Sequence, residues 1–293
     1  MCKDQSSAKS EQNIGAVGSK AESKPKKIKA VPTLTQGYLI DSHAHVTREF
    51  FAEERDQVLA RAKGGGVGKM VNPAVTLERA ALDELAEMAQ KNDWIFAACG
   101  LHPHEAKDWQ DDSAALVEEY LAKPGFVAVG ECGLDFFYDN SPRDTQMQVL
   151  ARQVELAVNH NLPIIIHCRE AWSETFSILK EYGKGKLRGV FHCFTGGPEH
   201  LDQINGLDFY VSFSGILTYK KSVAIQEAAA LVREDRMLVE TDCPFLAPQS
   251  VRGERNEPLF VLWTAEKLAQ LRNTSLDEVV AQTTANAEQL FAI

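Results

Sequence analysis

No apolar run in this 293-residue chain approaches the roughly 18 residues of a membrane-spanning helix, so an integral membrane protein is not expected. The first residues, MCKDQSSAKSEQ, lack the apolar core of a secretory signal. An intracellular protein is therefore expected, cytoplasmic or, as the alternative, nuclear. Six cysteines occur, but without the tight repeated spacing of a disulfide framework, and reduced thiols filling small core positions fit better. No Walker loop, Rossmann fingerprint or nucleophile elbow stands in an appropriate setting. A surplus of positive charge is missing too. The net charge is −10, and residues 1–37 hold seven lysines against three acids, so subtracting +4 from −10 leaves about −14 on the remainder. Such an acidic body excludes a non-specific nucleic-acid coat.

What the chain does contain falls into two parts. Residues 1–36 are rich in Ser, Lys, Ala and Glu, nearly free of large apolar groups, and read as a disordered tail. Within it KPKKIK (Lys24 to Lys29) could serve as a weak nuclear address or a phosphate-binding arm, although a solvated leader is the simpler reading. Residues 37–293 alternate short apolar runs with longer stretches of helical period. The runs are YLIDSH, VGKMVNPAV, WIFAACGLHP, FVAVGE, LPIIIHC, RGVFHCF, DFYVSFSG and RMLVETD. Between them lie helix candidates such as LERAALDELAEMAQKN, with Leu77, Ala81, Leu85 and Met88 on one stripe, and DTQMQVLARQVELAVNHN. Runs that alternate with helices imply a parallel sheet buried on both faces. Eight such units in about 250 residues fit a closed α/β TIM barrel, (β/α)8, better than an open sheet. LDEVVAQTTANAEQLFAI adds a C-terminal extra helix with a packing role.

Polar groups terminate many of these runs. LIDSHAHV places His43 and His45 two positions apart, so that both imidazoles would leave the first strand on the same side. Alone, that pair is as consistent with hydrogen-bonded core histidines as with metal ligands. The fourth run then ends at Glu131, the fifth at His167, the sixth at His192 and the eighth at Asp242. Burying one such group unpaired costs several kcal/mol, on the order given by polar transfer. A set of them at one barrel mouth is satisfied most simply by cations, and four His, one Glu and one Asp exceed what one tetrahedral ion takes. Two divalent metal ions are the economical count. In barrels of this kind the C-terminal face carries the site.

Taken together, HxH, GECGLDF, IHCREA, HCFTG, SFSGILT, ETDCPFLAP and RGERNEP resemble the TatD family of metal-dependent deoxyribonucleases, in the family's order and from about Leu39 to Phe291. The resemblance implies an amidohydrolase-like TIM barrel and hydrolysis of DNA phosphodiester bonds, often from the 3′ end. It implies that His43, His45 and Asp242 hold one metal and that His167 and His192 hold a second, with Glu131 bridging. Cys132, Cys168 and Cys243 depart from the family's usual residues; with Cys193 they directly follow ligand positions and should face away from the ions.

The expected catalytic groups are Glu131 and Asp242, the latter to take or relay a proton. Arg169 is a candidate for a substrate phosphate, with pairing to Glu170 as its rival. His104 is expected to touch substrate, His102 is left unassigned, and Asp135 should fix an imidazole tautomer. Arg252 is a further phosphate or loop-anchoring candidate. Phe136, Phe137 and Tyr138 could stack nucleobases or simply pack. The ions are expected among Mg2+, Mn2+ and Zn2+; magnesium prefers oxygen ligands, whereas four imidazoles suit a transition metal. The expected partner is DNA, single-stranded or at a 3′ end. Hydrolysis of another ester or amide, such as an aminoacyl-tRNA, is the alternative, and a non-catalytic scaffold a third.

Overall fold

The computed structural model describes residues 30–293. The expected tail lies outside the described residues up to residue 29. Residues 30–36 already include Val31 and Leu34, half-buried against the core, two apolar groups easily overlooked in so lysine-rich a segment.

Eight strands form one parallel sheet in sequence order: β1 (Leu39–Asp41), β2 (Val67–Pro73), β3 (Ile95–Cys99), β4 (Phe126–Asp135), β5 (Ile164–Arg169), β6 (Gly189–Phe191), β7 (Tyr210–Phe213) and β8 (Met237–Val239). Each expected apolar run supplies one of them. The first and last strands meet just past their C-terminal ends, where Ser42 N–H donates to the Val239 carbonyl (3.1 Å) and Asp242 N–H to the His43 carbonyl (2.9 Å). The buried Asp41 carboxylate joins the same seam by accepting the Thr241 N–H (2.9 Å) and hydroxyl (2.6 Å). The sheet thus curls into a barrel whose edges are joined at the end where the polar residues lie.

Two apolar layers sandwich the strands. Outside, helices bury one stripe each: Arg79–Lys91 buries Leu82, Leu85 and Met88, so the stripe runs through Leu82 and leaves Ala81 at its margin. Helix Arg143–His160 buries Val149, Val154, Leu156 and Ala157. Inside, Ile40, Val71, Ala98, Ala128, Ile165, Val190, Tyr210 and Leu238 supply one side chain from each strand, and Ala287, Leu290 and Phe291 of the C-terminal helix (Leu276–Phe291) close over them. That helix starts with a capping box: Ser275 Oγ accepts the Glu278 N–H, and the Glu278 carboxylate accepts the Ser275 N–H. Asn286 then donates to the Met237 carbonyl (2.8 Å) and Thr284 to the Tyr38 carbonyl (2.9 Å), which fixes it under the N-terminal strand ends. Full burial of each large apolar side chain is worth about 1.5–3 kcal/mol. One end of the barrel is therefore plugged and dry, and chemistry is left to the other.

Candidate metal centre

His43 and His45 do not lie in β1, whose ladder ends at Asp41, but in the loop beyond it, and His192 and Asp242 likewise follow β6 and β8. Only Glu131 and His167 are strand residues. Loop backbone still brings the first pair together: His43 Nε2 and His45 Nε2 are 3.1 Å apart. Asp242 adopts a left-handed φ of 56°, which turns its carboxylate inward, 3.6 Å from His45 Nε2 and 3.7 Å from His43 Nε2. Glu131 sits at the middle. Its Oε2 is 3.2 Å from His43 Nε2, and its Oε1 is 2.7 Å from His192 Nε2 and 3.1 Å from His167 Nδ1. All six expected ligand positions thus converge; His167 and Asp242 are partly buried and the other four are buried.

The sequence around Glu131 is shaped for this crowding. Gly133, at φ 153°, lies so close to β5 that a Cβ would stand 1.8 Å from the His167 carbonyl oxygen, which excludes any side chain there. Behind the strands, Gln146 accepts the Asp135 N–H (2.8 Å) and donates to the Asp135 carbonyl (3.1 Å). Gln153 grips Leu101 in the same two-sided way. These buried amides position the ends of β4 and β3.

A further layer of partners orients the rings. His45 Nδ1 faces the Pro73 carbonyl at 3.2 Å, so its proton sits there and Nε2 keeps a lone pair toward the cavity. His192 Nδ1 faces Glu240 Oε1 at 3.4 Å, and Asp135 Oδ2 lies 3.1 Å from His167 Nε2 and 3.0 Å from His104 Nε2. Carboxylates and carbonyls behind imidazoles are the usual support of metal ligands. Glu240 and Asp41 are buried acids that the sequence reading passed over; the signal was an acid embedded in an apolar run, in MLVETD and YLIDSH.

His102, left open above, now has a role. Its Nδ1 accepts the His104 N–H (3.1 Å), so the neutral ring carries its proton on Nε2, 3.3 Å from Glu131 Oε1. Burial lowers its pKa to about 4, which keeps the ring neutral. His102 is thus a donor that orients Glu131.

Electrostatics in the cluster run in opposed directions. Burial would raise the Glu131 carboxyl, but His192, His102 and His43 hold it well below the usual range. Burial opposes charge on His192, His45 and His167 as well, yet the facing carboxylates outweigh it and raise all three. His43, pressed by burial and by the His192 ring stacked 3.9 Å away, is lowered. Protons here do the work of cations, and the donors fit divalent ions. His43 Nδ1 and both ring nitrogens of His192 lack a well-aligned hydrogen-bond partner among the described residues, and donor atoms of His43, His45 and Asp242, and of His43, Glu131 and His192, lie within 4.8 Å of one another. His167 gathers with Glu131 and His102. His192 therefore lies closer to His43, whose ring is 3.9 Å away, than to His167, whose ring is 5.7 Å away.

The remaining candidates spread outward. Arg169 has no carboxylate within 4 Å among the described residues; its guanidinium lies over Phe137 (4.0 Å) and Tyr138 (4.7 Å) instead of pairing with Glu170. Arg252 is exposed over the Tyr219 ring at 4.4 Å. His104 sits with Asp135 at the edge of the centre. Cys132 turns to the Ile165 carbonyl, Cys168 to Thr175 and Cys193 to Ser214, and no cysteine joins a metal-binding cluster among the described residues.

Residues 40–292 match the family of TatD related DNases. The chain belongs to the TatD family. It is 40% identical over 255 residues to the uncharacterized metal-dependent hydrolase YabD of Bacillus subtilis, a match covering 87% of this chain and 99% of that protein. It is 34% identical over 259 residues to the 3′-5′ ssDNA/RNA exonuclease TatD of Erwinia tasmaniensis, covering 86% and 99%. Among solved structures, the TatD homolog YJJV of Escherichia coli superposes with a TM-score of 0.81 at 28% identity, covering 87% of this chain and 98% of that one. As a TatD protein it is a metal-dependent hydrolase. No helix among the described residues is long and apolar enough to cross a membrane.

Proposed function

We propose that this TatD protein is a deoxyribonuclease that removes nucleotides from the 3′ end of single-stranded DNA, using two divalent ions held by His43, His45, Glu131, His167, His192 and Asp242. The observation that carries the reading is the buried Glu131 carboxylate, one oxygen directed at His43 and the other at His192 and His167, a two-sided acceptor suited to bridging two cations. The name of the Erwinia relative supports the substrate class.

Divalent ions bound there would lower the pKa of water toward neutrality and offset charge on the phosphoryl oxygens. The chain supplies the rest. Asp242, ionised because His45, His43 and His192 hold its carboxyl down against burial, is the acceptor for the proton of the attacking water. His104 reaches toward substrate from Asp135, and Arg169, whose guanidinium lies over Phe137 and Tyr138 with no carboxylate within 4 Å among the described residues, offers its planar fork to the phosphate one step along the strand. Arg252 stands further out for a more distant phosphate. Imidazole-rich ligation favours Zn2+ or Mn2+, with Mg2+ accepted in their place.

The test is an oligonucleotide labelled at its 5′ end, incubated with chelator-stripped protein and Mg2+, Mn2+ or Zn2+. Stepwise shortening that a blocked 3′ terminus prevents is the expected result. Internal cuts, or turnover of small esters and amides without loss of nucleotides, would overturn it.

A further inference from the structure

Five large hydrophobic side chains stand exposed among the described residues, and the three aromatic ones, Phe137 (51%), Tyr138 (54%) and Phe245 (50%), all lie at the metal-centre end of the barrel. Phe137 and Tyr138 follow β4, whereas Phe245 follows β8, and in an eight-stranded barrel of sequential order those strands stand across the mouth from each other. The metal centre lies between them.

Both aromatic groups are mounted on the centre itself. Asp135, whose Oδ2 contacts His167 and His104, uses Oδ1 to accept the N–H groups of Phe137 (3.0 Å) and Tyr138 (2.9 Å). Arg169 covers one side of both rings, and the His104 ring meets Tyr138 edge-on at 5.5 Å. Across the mouth, Phe245 N–H donates to the Asp242 carbonyl (3.0 Å), and its ring lies 6.4 Å from His45 and 5.7 Å from Phe50. Buried Asn256 clamps the loop by donating to the Phe245 and Thr241 carbonyls. Loops that only needed to cover the centre would turn these rings inward. Here hydrogen bonds pin the backbone beneath each ring, Phe137 and Tyr138 stand edge to face, and about half of each of the three side chains stays exposed.

We propose that these are two base-stacking platforms, Phe137–Tyr138 with Arg169 on one side and Phe245 on the other, which receive the nucleobases on either side of the scissile phosphate. The inference rests on the nuclease reading and deepens it. Stacking on an aromatic face accepts any base, so the mouth selects for unpaired strands without reading sequence. A duplex keeps its bases stacked on one another and presents neither. Arg169, packed against the first platform, adds a cation where the backbone must turn between base and phosphate.

The experiment compares wild type with Phe245→Leu and with the double variant Phe137→Leu, Tyr138→Leu, which keep apolar volume but remove the stacking face, and with Phe245→Trp as rescue. Each is assayed on a single-stranded decamer, on the same decamer with abasic residues at its two 3′-terminal positions, and on bis(p-nitrophenyl) phosphate; bound metal is measured throughout. Each Leu variant should raise KM for the intact decamer about tenfold or more relative to any change on the small diester. The abasic decamer should show the same penalty with wild-type enzyme, and Trp should restore affinity. Wild type that shortens both decamers equally well, or Leu variants that lose the same factor on decamer and small diester, would overturn the platforms alone. Wild type that hydrolyses the small diester but no decamer with any divalent ion would overturn the nuclease reading and the platforms with it.

Discussion

At the floor of the barrel every strand contributes an apolar side chain, from Ile40 to Leu238, sealed by Leu290 and Phe291, whereas at the mouth β1, β4, β5, β6 and β8 give way to His, Glu or Asp. Of the eight histidines, all but His160 and His200 gather at that mouth. The floor is held by non-directional burial, which tolerates no charge and needs no partner. The mouth is held by directed contacts, with a carbonyl or carboxylate behind the His45, His104, His167 and His192 rings. Substitutions at the floor should therefore remove the fold without touching chemistry, and substitutions at the mouth the reverse.

The largest stability effect should come from the floor. Phe291→Ala empties a fully packed site and should cost about 3–5 kcal/mol by chemical denaturation. Turnover per folded molecule, measured at low temperature, should stay within about twofold of wild type, since the site is undisturbed. A variant that stays folded but inactive would break the comparison.

At the mouth, Asp135→Asn leaves the fold in place but weakens the support of His167. Metal affinity, titrated with Zn2+ or Mn2+, should fall about 10–100-fold. Unchanged affinity would remove Asp135 from the ligand support.

Protons and metal should compete. The carboxylates that face His45, His167 and His192 raise all three, so protons compete with an ion for these rings. Loading metal near pH 7 should release protons, seen as a buffer-dependent heat in calorimetry, and activity at fixed metal should fall as pH drops from neutrality toward about 5, starting above the ordinary imidazole value because these rings are raised. A profile flat to pH 5 would contradict histidine ligation.

The seam adds an effect that appears only as pH is changed. Burial raises the Asp41 carboxyl to about 8 despite its bonds to Thr241. Because the folded state keeps that proton longer than the unfolded chain, Asp41 makes metal-free stability fall as pH rises from about 4 to about 8, with a slope on the order of 1 kcal/mol per pH unit. Asp41→Asn should flatten that slope, and denaturation midpoints across the window would show it.

The contrast between the ends also explains what could be read from sequence. β5, LPIIIHC, shows a hydrophobic run stopped by a candidate ligand; all eight strands are legible as apolar runs, and β1, β4, β5, β6 and β8 run into such a group. The convergence of the six candidate ligands was legible for the same reason, since an ionisable group at the end of an apolar run is costly to bury without a partner. His43 and His45 were placed on a strand, but the ladder stops at Asp41 because the chain beyond it bonds across the barrel seam, a long-range event that leaves no local pattern. The grouping of His192 with His43 arises from ring packing between distant segments, and the tautomer that makes His102 a donor to Glu131 is set by the His104 N–H two residues on, once the turn there has formed. Glu240 lies two residues before Asp242 in RMLVETD, where the terminal acid drew the assignment.

The most direct measurement is the metal content and nuclease activity of wild type beside Glu131→Ala. We expect about two divalent ions per wild-type chain, fewer than one in the variant, and at least about a 1,000-fold loss of activity with the fold retained, a barrier increase of about 4 kcal/mol. A variant that keeps both ions and its activity, or a wild type that binds none, would contradict the account.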